Sequence, residues 1–491
     1  MQTLRERITS PPAWVSILYT AEGLPFTFLR SSVVPAFLKQ MGASLETIGL
    51  TSLLGIPYTF KFIWSPVIDI FWRKRHWLLS LQFSLVVMLV FLSFLIAIPN
   101  AMALWWTGFA VAAFLSATQD IAIDGFYLEA LDDKQQAAYA GLRIAAYRVS
   151  MILGTSIPLM IAGKVSWFAG FLSCAVLLGI VFAYNFFFLP KPPPSPNPGS
   201  PESFARRISG EMGRSSWLHD TIALLIVIAI VVAWKYGWIK NVYFAPLIVI
   251  ASLYLLSRIV YRWLGSQPVV SAGEPSAKAK MIRHLQTYME AFRSYLDQER
   301  IGVILLFMLL YKLGDAMLFS MNTPFLLDLG VTTFQLGWLS GTVGKIASIA
   351  GSIFGGWWVS RVGLRRGLWH LALTMNVAIL AYVWLAMAKP GLAGVAIVHA
   401  VEQLAAGLGT TAFVIFQMRT VKKEYKAAHY AIATSIVAFG PMISGPIGGH
   451  LAAKLGYASF FWVCFGASIP GLILIALLPI RDGVGSAARS S

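Results

Sequence analysis

Phe37-Leu38-Lys39-Gln40-Met41-Gly42 is echoed by Phe325-Leu326-Leu327-Asp328-Leu329-Gly330, 288 residues further along the chain. Ala137-Ala138, Phe171 and Cys174 are matched in turn by Ala427-Ala428, Phe461 and Cys464, at an offset of 290. Several landmarks in the same order with so small a drift mean a duplicated unit carrying short insertions. Composition says what kind of unit it is. Of 491 residues, 57% are hydrophobic and 12% charged, and mean hydropathy is +0.71. A soluble domain carries about 25% charged residues, so this chain has too few to coat a water-facing surface and reads as an integral membrane protein.

A helix needs about 20 mostly apolar residues to cross the hydrocarbon. Fourteen runs qualify, near 13–38, 46–70, 78–98, 102–129, 137–163, 167–189, 217–236, 243–264, 300–328, 332–360, 367–388, 392–420, 427–453 and 458–479. Their length and lack of period-2 alternation exclude a β-barrel. The expected fold is all-α and polytopic: two parallel six-helix bundles, 1–189 and 299–480, with an accessory hairpin at 217–264 between them. The Pro-rich stretch in 190–216 predicts an extended linker. A second linker, 265–298, carries Met281, Leu285, Tyr288, Phe292 and Tyr295 at helical spacing, which suits an amphipathic helix on the membrane surface or an ordinary soluble one. Residues 481–491 form a tail.

The formal charge of +17 would suggest a nucleic-acid partner in a soluble chain, but here the basic residues sit in short segments between apolar runs. That pattern reports orientation. With the N-terminus in the cytoplasm, 26 of 38 basic residues fall in cytoplasmic segments, six in external ones and six within spans, so both termini are expected inside. Arg73-Lys74-Arg75, Arg361 with Arg365-Arg366, and Lys422-Lys423-Lys426 contribute most. The first run is too long for a signal h-region and is expected to stay as the first span. Cys174 and Cys464 lie in apolar runs, and neither reads as a disulfide partner.

Charges at membrane depth are costly and are functional candidates by default. The spans hold Glu22, Arg30, Lys61, Asp120, Asp124, Arg143, Arg148, Lys312, Asp315, Lys345 and Glu402. Asp120 and Asp124 share a helix face, and Lys312 and Asp315 are spaced to pair locally. A charge needed only by the scaffold should recur in the other half. These do not: Asp120 and Asp124 match Thr410 and Val414, Arg143 and Arg148 match Ala433 and Ala438, and Lys312 and Asp315 match Thr20 and Gly23. Such asymmetry suits a polar cavity for an asymmetric substrate, expected to be lined by Glu22, Lys61, Gln119, Asp120, Arg143, Arg148, Lys312, Asp315, Glu402 and Gln403; pairs that merely hold helices together are the plainer alternative. Arg143 and Arg148 differ by about 140° around a helix, so one is expected to meet a substrate anion and the other a carboxylate.

A second set lies at cytoplasmic helix ends. Asp69, Arg73, Arg75, Glu129, Arg361, Arg365 and Arg419 are expected to form a gating network, with Glu129 and Arg419 at equivalent repeat positions and opposite in sign. Gly355 to Arg366 resembles the G-x-x-x-D-R-x-G-R-R signature of the major facilitator superfamily, with Ser360 in place of Asp. Within it, Phe60-Lys61-Phe62-Ile63-Trp64-Ser65-Pro66, Ser116-Ala117-Thr118-Gln119-Asp120-Ile121, Leu310-Tyr311-Lys312-Leu313-Gly314-Asp315-Ala316 and Gly407 to Phe413 resemble the AmpG muropeptide permeases of the bacterial inner membrane. The chain departs from them at Glu22 and at Gly125 to Glu129. The resemblance implies import of anhydromuropeptides driven by the proton gradient, a transport that feeds β-lactamase induction in some bacteria. Asp120, Asp124, Glu22 and Asp315 are then the expected proton-coupling carboxylates. It implies no cofactor and no metal; the expected partners are the muropeptide, protons and membrane lipid, with the protein as a monomer and no nucleic acid bound.

No H-E-x-x-H, G-x-S-x-G, paired metal-spaced cysteines or P-loop occurs in the sequence, so no enzymatic activity is expected. His399 and Glu402, three apart, suit a proton relay or a packed polar pair. Besides a proton-coupled importer, a receptor that binds the same ligand without moving it, or a superfamily member for another polar anion, would account for buried charge. The paired bundles and gate charges favour transport.

Overall fold

The recurring Phe-Leu…Gly motif ends a helix in each half. Gly42 (φ 79°) and Gly330 (φ 90°) adopt the left-handed conformation, which glycine enters without a Cβ penalty. The N–H groups of Gly42 and Ala43 return to the carbonyls of Lys39 and Leu38 at 3.1 and 2.9 Å, and those of Gly330 and Val331 to Leu327 and Leu326 at 3.0 and 3.1 Å. The motif's phenylalanines enter equivalent aromatic cores. Phe37 meets Trp167 and Phe171 at 5.4 and 5.2 Å, and Phe325 meets Tyr457 and Phe461, both at 4.9 Å. Cys174 and Cys464 are buried free thiols.

The computed structural model describes residues 9–70, 73–96, 101–191, 293–421 and 426–479, with Glu6 and Ile98. The expected hairpin 217–264, nearly all of both linkers and the tail lie outside the described residues. The first half comprises α1 (Pro11–Arg30), α2 (Val33–Gln40), α3 (Leu45–Gly49), α4 (Ile56–Phe60), α5 (Ser65–Ile70), α6 (Lys74–Leu95), α7 (Met102–Ala130), α8 (Asp133–Lys164) and α9 (Trp167–Phe188). The second comprises α10 (Ile301–Leu310), α11 (Leu313–Asp328), α12 (Thr333–Leu336), α13 (Gly344–Val362), α14 (Leu364–Ala388), α15 (Leu392–Arg419) and α16 (Lys426–Leu477). Among the described residues there is no strand, and eight helices are long and apolar enough to cross a membrane.

Several expected runs differ in detail. The run at 13–38 turns at Ser31-Ser32 between α1 and α2. The run at 46–70 is broken into α3, α4 and α5 with short 3-10 turns between, where Pro57 and Pro66 withhold backbone donors. The runs at 427–453 and 458–479 join as α16, interrupted at Gly456 (φ 73°).

The repeat also carries an asymmetry. After Gly49 the chain tightens into a 3-10 helix, Leu50–Gly55, whereas the equivalent stretch from Gly337 widens into a π-helix, Gly337–Val343, ahead of Gly344. Gly49 to Gly55 spans six steps and Gly337 to Gly344 seven; the extra residue is what a wider turn absorbs.

The main packing between the halves lies at the end opposite the basic segments, here the far end. There α3 and the following 3-10 turn press on α16, and α12 with the π-turn presses on α8. Both seams are lined by glycine. A Cβ on Gly445 would lie 2.4 Å from the Gly49 carbonyl oxygen, one on Gly449 2.4 Å from that of Leu45, and one on Gly163 2.3 Å from the Phe334 nitrogen. Small residues let backbones approach closely, which is how helices associate without a hydrophobic driving force. On the α16 seam, contact continues inward to Phe60 and Phe439, 5.6 Å apart.

Candidate functional site: a charged bundle interior

In the first half, α1, α7, α8 and the turn at Lys61 converge on one polar cluster. The carboxyl oxygens of Glu22, Asp120 and Asp124 lie within 4.8 Å of one another, as the four-residue spacing of the two aspartates requires. Lys61 is ion-paired with Asp120. Arg143 Nη2 meets Asp124 Oδ1 at 2.8 Å, and the Tyr19 hydroxyl donates to the same oxygen at 2.9 Å. The Arg143 guanidinium also stands 4.4 Å from the Tyr19 ring, a cation–π contact. Glu22 Oε2 is buried with no hydrogen-bond partner. Gln119 is fully buried; its Nε2 donates to the Ala21 carbonyl 2.8 Å away, which ties α7 to α1, and its Oε1 has no hydrogen-bond partner.

The second half holds a sparser set. Lys312 pairs with Asp315 at 3.2 Å and donates to Thr410 Oγ1 at 2.9 Å. Glu402 and Gln403 are buried together, with Gln403 Nε2 donating to Glu402 Oε2 at 2.9 Å. His399 is bonded elsewhere. Its Nδ1 meets the Tyr382 hydroxyl at 2.8 Å, and that hydroxyl donates to Asn322 Oδ1 at 3.1 Å. Since the phenol has one proton to give, His399 Nδ1–H is the donor of the first bond. A direct His399–Glu402 hydrogen bond is not among these contacts.

Of the two arginines, Arg143 pairs with a carboxylate, and Arg148 is in none of these ion pairs. Arg75, Glu129 and Arg361 make contacts within their own halves. Arg75 donates to the carbonyls of Phe186 and Leu189 at 3.0 and 3.4 Å, Glu129 lies within electrostatic reach of Lys74 and Arg73, and Arg361 packs 5.6 Å from the Trp357 ring. Arg361, Arg365 and Arg419 are exposed. The Asp69 side chain, like Lys422 and Lys423, lies outside the described residues.

Sequence reasoning missed the residues that join the halves. Among the described residues, the ion pair across them is Lys39–Asp328, 2.8 Å, at the far end. Asp328 also accepts from the Tyr457 hydroxyl at 2.7 Å. Gln40, its repeat equivalent, accepts from Trp167 Nε1 at 2.8 Å and donates across to Thr333 Oγ1. The signal was present, because both residues stand two before the recurring glycine. Tyr19, whose repeat equivalent 292 positions on is Tyr311, carries no charge to mark it.

The sequence profile described as Major Facilitator Superfamily matches residues 15–276 and 304–490. The Anhydromuropeptide permease of Escherichia coli (strain K12) is 27% identical over 466 residues, covering 94% of this chain and 78% of that protein. The Putative transporter AmpG 4 of Rickettsia felis is 22% identical over 472 residues, covering 94% of this chain and 95% of its own. Among solved structures, the peptide transporter POT in complex with sulfate superposes with a TM-score of 0.62 at 12% identity, covering 97% of this chain and 98% of that one. At that identity the likeness speaks for the fold.

Proposed function

The chain belongs to the major facilitator superfamily, a multi-pass membrane transporter and not an enzyme, and we propose that it imports anhydromuropeptides across the bacterial inner membrane by proton symport. The cargo is suggested by the resemblance to the permease of Escherichia coli. Proton coupling rests on one observation. The first-half cluster brings three carboxylates together with two cations, Lys61 and Arg143, and leaves Glu22 Oε2 buried without a partner. An uncompensated carboxylate at membrane depth costs several kcal/mol, so the cluster is one positive charge short. A proton supplies it without a cofactor.

The distribution of basic residues supports a cytoplasmic basic end and cytoplasmic termini. On that orientation the glycine seams close the periplasmic side, and the described arrangement faces inward. The gate set, Asp69, Arg73, Arg75, Glu129, Arg361, Arg365 and Arg419, would then meet across the halves when the cytoplasmic side closes, with the protein working as a monomer. The substrate's polar groups would be met by Lys61, Asp120, Arg143 and Arg148 from one half and Lys312, Asp315, Glu402 and Gln403 from the other. Release of the Glu22 proton would leave its carboxylate free to reorganise the Lys61 and Arg143 pairs.

Purified protein in proteoliposomes tests this. Accumulation of GlcNAc-anhydroMurNAc-tripeptide should rise several-fold with an acidic outside. Glu22→Gln should lose at least ten-fold of that gradient-driven accumulation while still exchanging labelled for unlabelled substrate at equal pH. Wild-type uptake indifferent to the gradient would remove proton coupling, and binding without any uptake would make the protein a receptor.

A further inference from the structure

Among the described residues, the cations of the bundle interior divide into those in direct contact with a carboxylate and those that are not. Lys61, Arg143 and Lys312 each hold a carboxylate. Arg30 lies against the rings of Phe26 and Tyr58, 5.4 and 5.9 Å away. Arg148 and Lys345 take part in none of these ion pairs, although Lys345 Nζ stands 6.0 Å from the Phe319 ring, and they come from different halves.

The seam between α8 and the π-turn brings them together. Ser156 Oγ and Thr342 Oγ1 are 3.0 Å apart, and a Cβ on Gly341 would lie 2.3 Å from Ser156 Oγ, so the two helices are in direct contact at that level. From there they run antiparallel. Lys345, three residues past Thr342, lies about 5 Å toward the basic end, and Arg148, eight residues before Ser156, about 12 Å in the same direction. Long side chains span the difference, and Lys345 is within electrostatic reach of Arg148. The acidic side chain within reach of Lys345 is Glu402, which is bonded to Gln403. His399 stands beside the same turn, with Nε2 2.8 Å from where a Cβ on Gly344 would be.

Two like charges within electrostatic reach of one another in a low-dielectric interior repel, and an anion between them relieves that repulsion. We propose that Arg148 and Lys345 form one carboxylate-binding site shared between the halves, occupied by a carboxylate of the substrate. This rests on the muropeptide reading above and adds to it a named contact. The chemistry fits the two side chains. A planar guanidinium grips both oxygens of a carboxylate, while an ammonium adds a single charged donor without fixing its plane. Because one cation belongs to each half, the bound anion favours conformations in which the seam holds them near each other. A ligand shifts an equilibrium only by such differential contact.

The test uses full-length protein in detergent, with GlcNAc-anhydroMurNAc-tripeptide and its carboxyl-amidated derivative as probes. Wild type should bind the acid at least ten-fold more tightly than the amide. Arg148→Gln and Lys345→Gln should each reduce that ratio below about three-fold while leaving affinity for the amide unchanged, and Lys345→Arg should restore it. Each Gln variant should also raise the ligand-free Tm, because a repulsion has been removed; a residue that only held helices together would lower it. Equal binding of acid and amide by wild type, or full discrimination by either Gln variant, overturns the site. If wild type binds neither probe, the muropeptide reading falls, and the site is judged on N-acetyl-Ala-Glu. Binding of that peptide lost in both Gln variants upholds the shared site, and no binding, or binding they retain, overturns it.

Discussion

Two corners at the far end occupy equivalent places in the repeat and are built on one plan with different chemistry. In the first half the indole of Trp167 holds Gln40, whose amide crosses to Thr333. In the second the phenol of Tyr457 holds Asp328, whose carboxylate is crossed to by Lys39. A ring tip fixes a polar side chain, and that side chain joins the halves, yet one junction is neutral and the other ionic. The interior repeats the lesson. Tyr19 donates to the Asp124 carboxylate beneath Arg143, while its equivalent Tyr311 donates to the Gly409 carbonyl at 3.0 Å and stacks on Phe413 at 4.7 Å. Duplication keeps the frame, and single substitutions in one copy assign charge to it.

The largest effect should come from breaking the frame itself. At Gly445 a side chain would meet the Gly49 backbone and Ser52 Oγ at 2.4 and 2.2 Å, whereas at Gly466 it would meet nothing within 4 Å. Gly445→Leu should therefore hold the far seam apart and Gly466→Leu should not. Ser52 reports the difference, since its hydroxyl reaches Met442 O across the seam at 3.0 Å. In a Ser52→Cys background, labelling by an impermeant maleimide should rise at least ten-fold with Gly445→Leu, and uptake should be lost. The native cysteines are buried and should stay silent. Equal labelling in the two leucine variants would mean that the seam does not close the far side.

A middle-sized effect separates the two tyrosines. Tyr19→Phe removes a donor from an ionic cluster that keeps Arg143, so uptake should fall several-fold with Tm nearly unchanged. Tyr311→Phe removes a buried hydrogen bond to a carbonyl that the helix's own N–H also satisfies, a loss of about 0.5–1.5 kcal/mol, so Tm should fall while uptake per folded molecule is preserved. The reverse pattern would erase the distinction between a functional and a scaffolding copy.

The frame was legible in the sequence because its determinants are apolar and local: a glycine that must take positive φ, and the Phe37, Phe171, Phe325 and Phe461 rings that pack beside it. Charged depth residues were legible too, since their cost marks them wherever they occur. Who pairs with whom was not, because Tyr19 and Asp124 are 105 positions apart and meet only through the rotation of two helices. The bond from Gln119 Nε2 to the Ala21 carbonyl, 98 positions away, was hidden for the same reason. The basic clusters point to contacts across the halves at the end where Arg361 and Arg419 lie. The described state instead joins them at the far end, through Gln40 and Asp328, one of which carries no charge to notice.

The smallest effect tests whether that ionic difference between the corners has mechanical weight. Lys39 and Asp328 are 24% and 40% exposed, and pairs so open to water contribute about 0.2–1 kcal/mol, a bias of about 1.4- to five-fold. Asp328→Asn keeps an oxygen for the Tyr457 hydroxyl and removes only the charge, so Ser52→Cys labelling should rise by a factor within that range. Asp328→Ala also strands Tyr457 and should exceed it. Salt supplies an independent arm, because at 1 M the screening length falls to about 3 Å, and wild type should then approach the Asp328→Asn value while the variant itself stays put. If charge removal and salt both leave labelling unchanged, the second corner works as the first does, through neutral bonds alone. The carboxylate at 328 would then be a departure from its repeat partner that the closing of this end does not use.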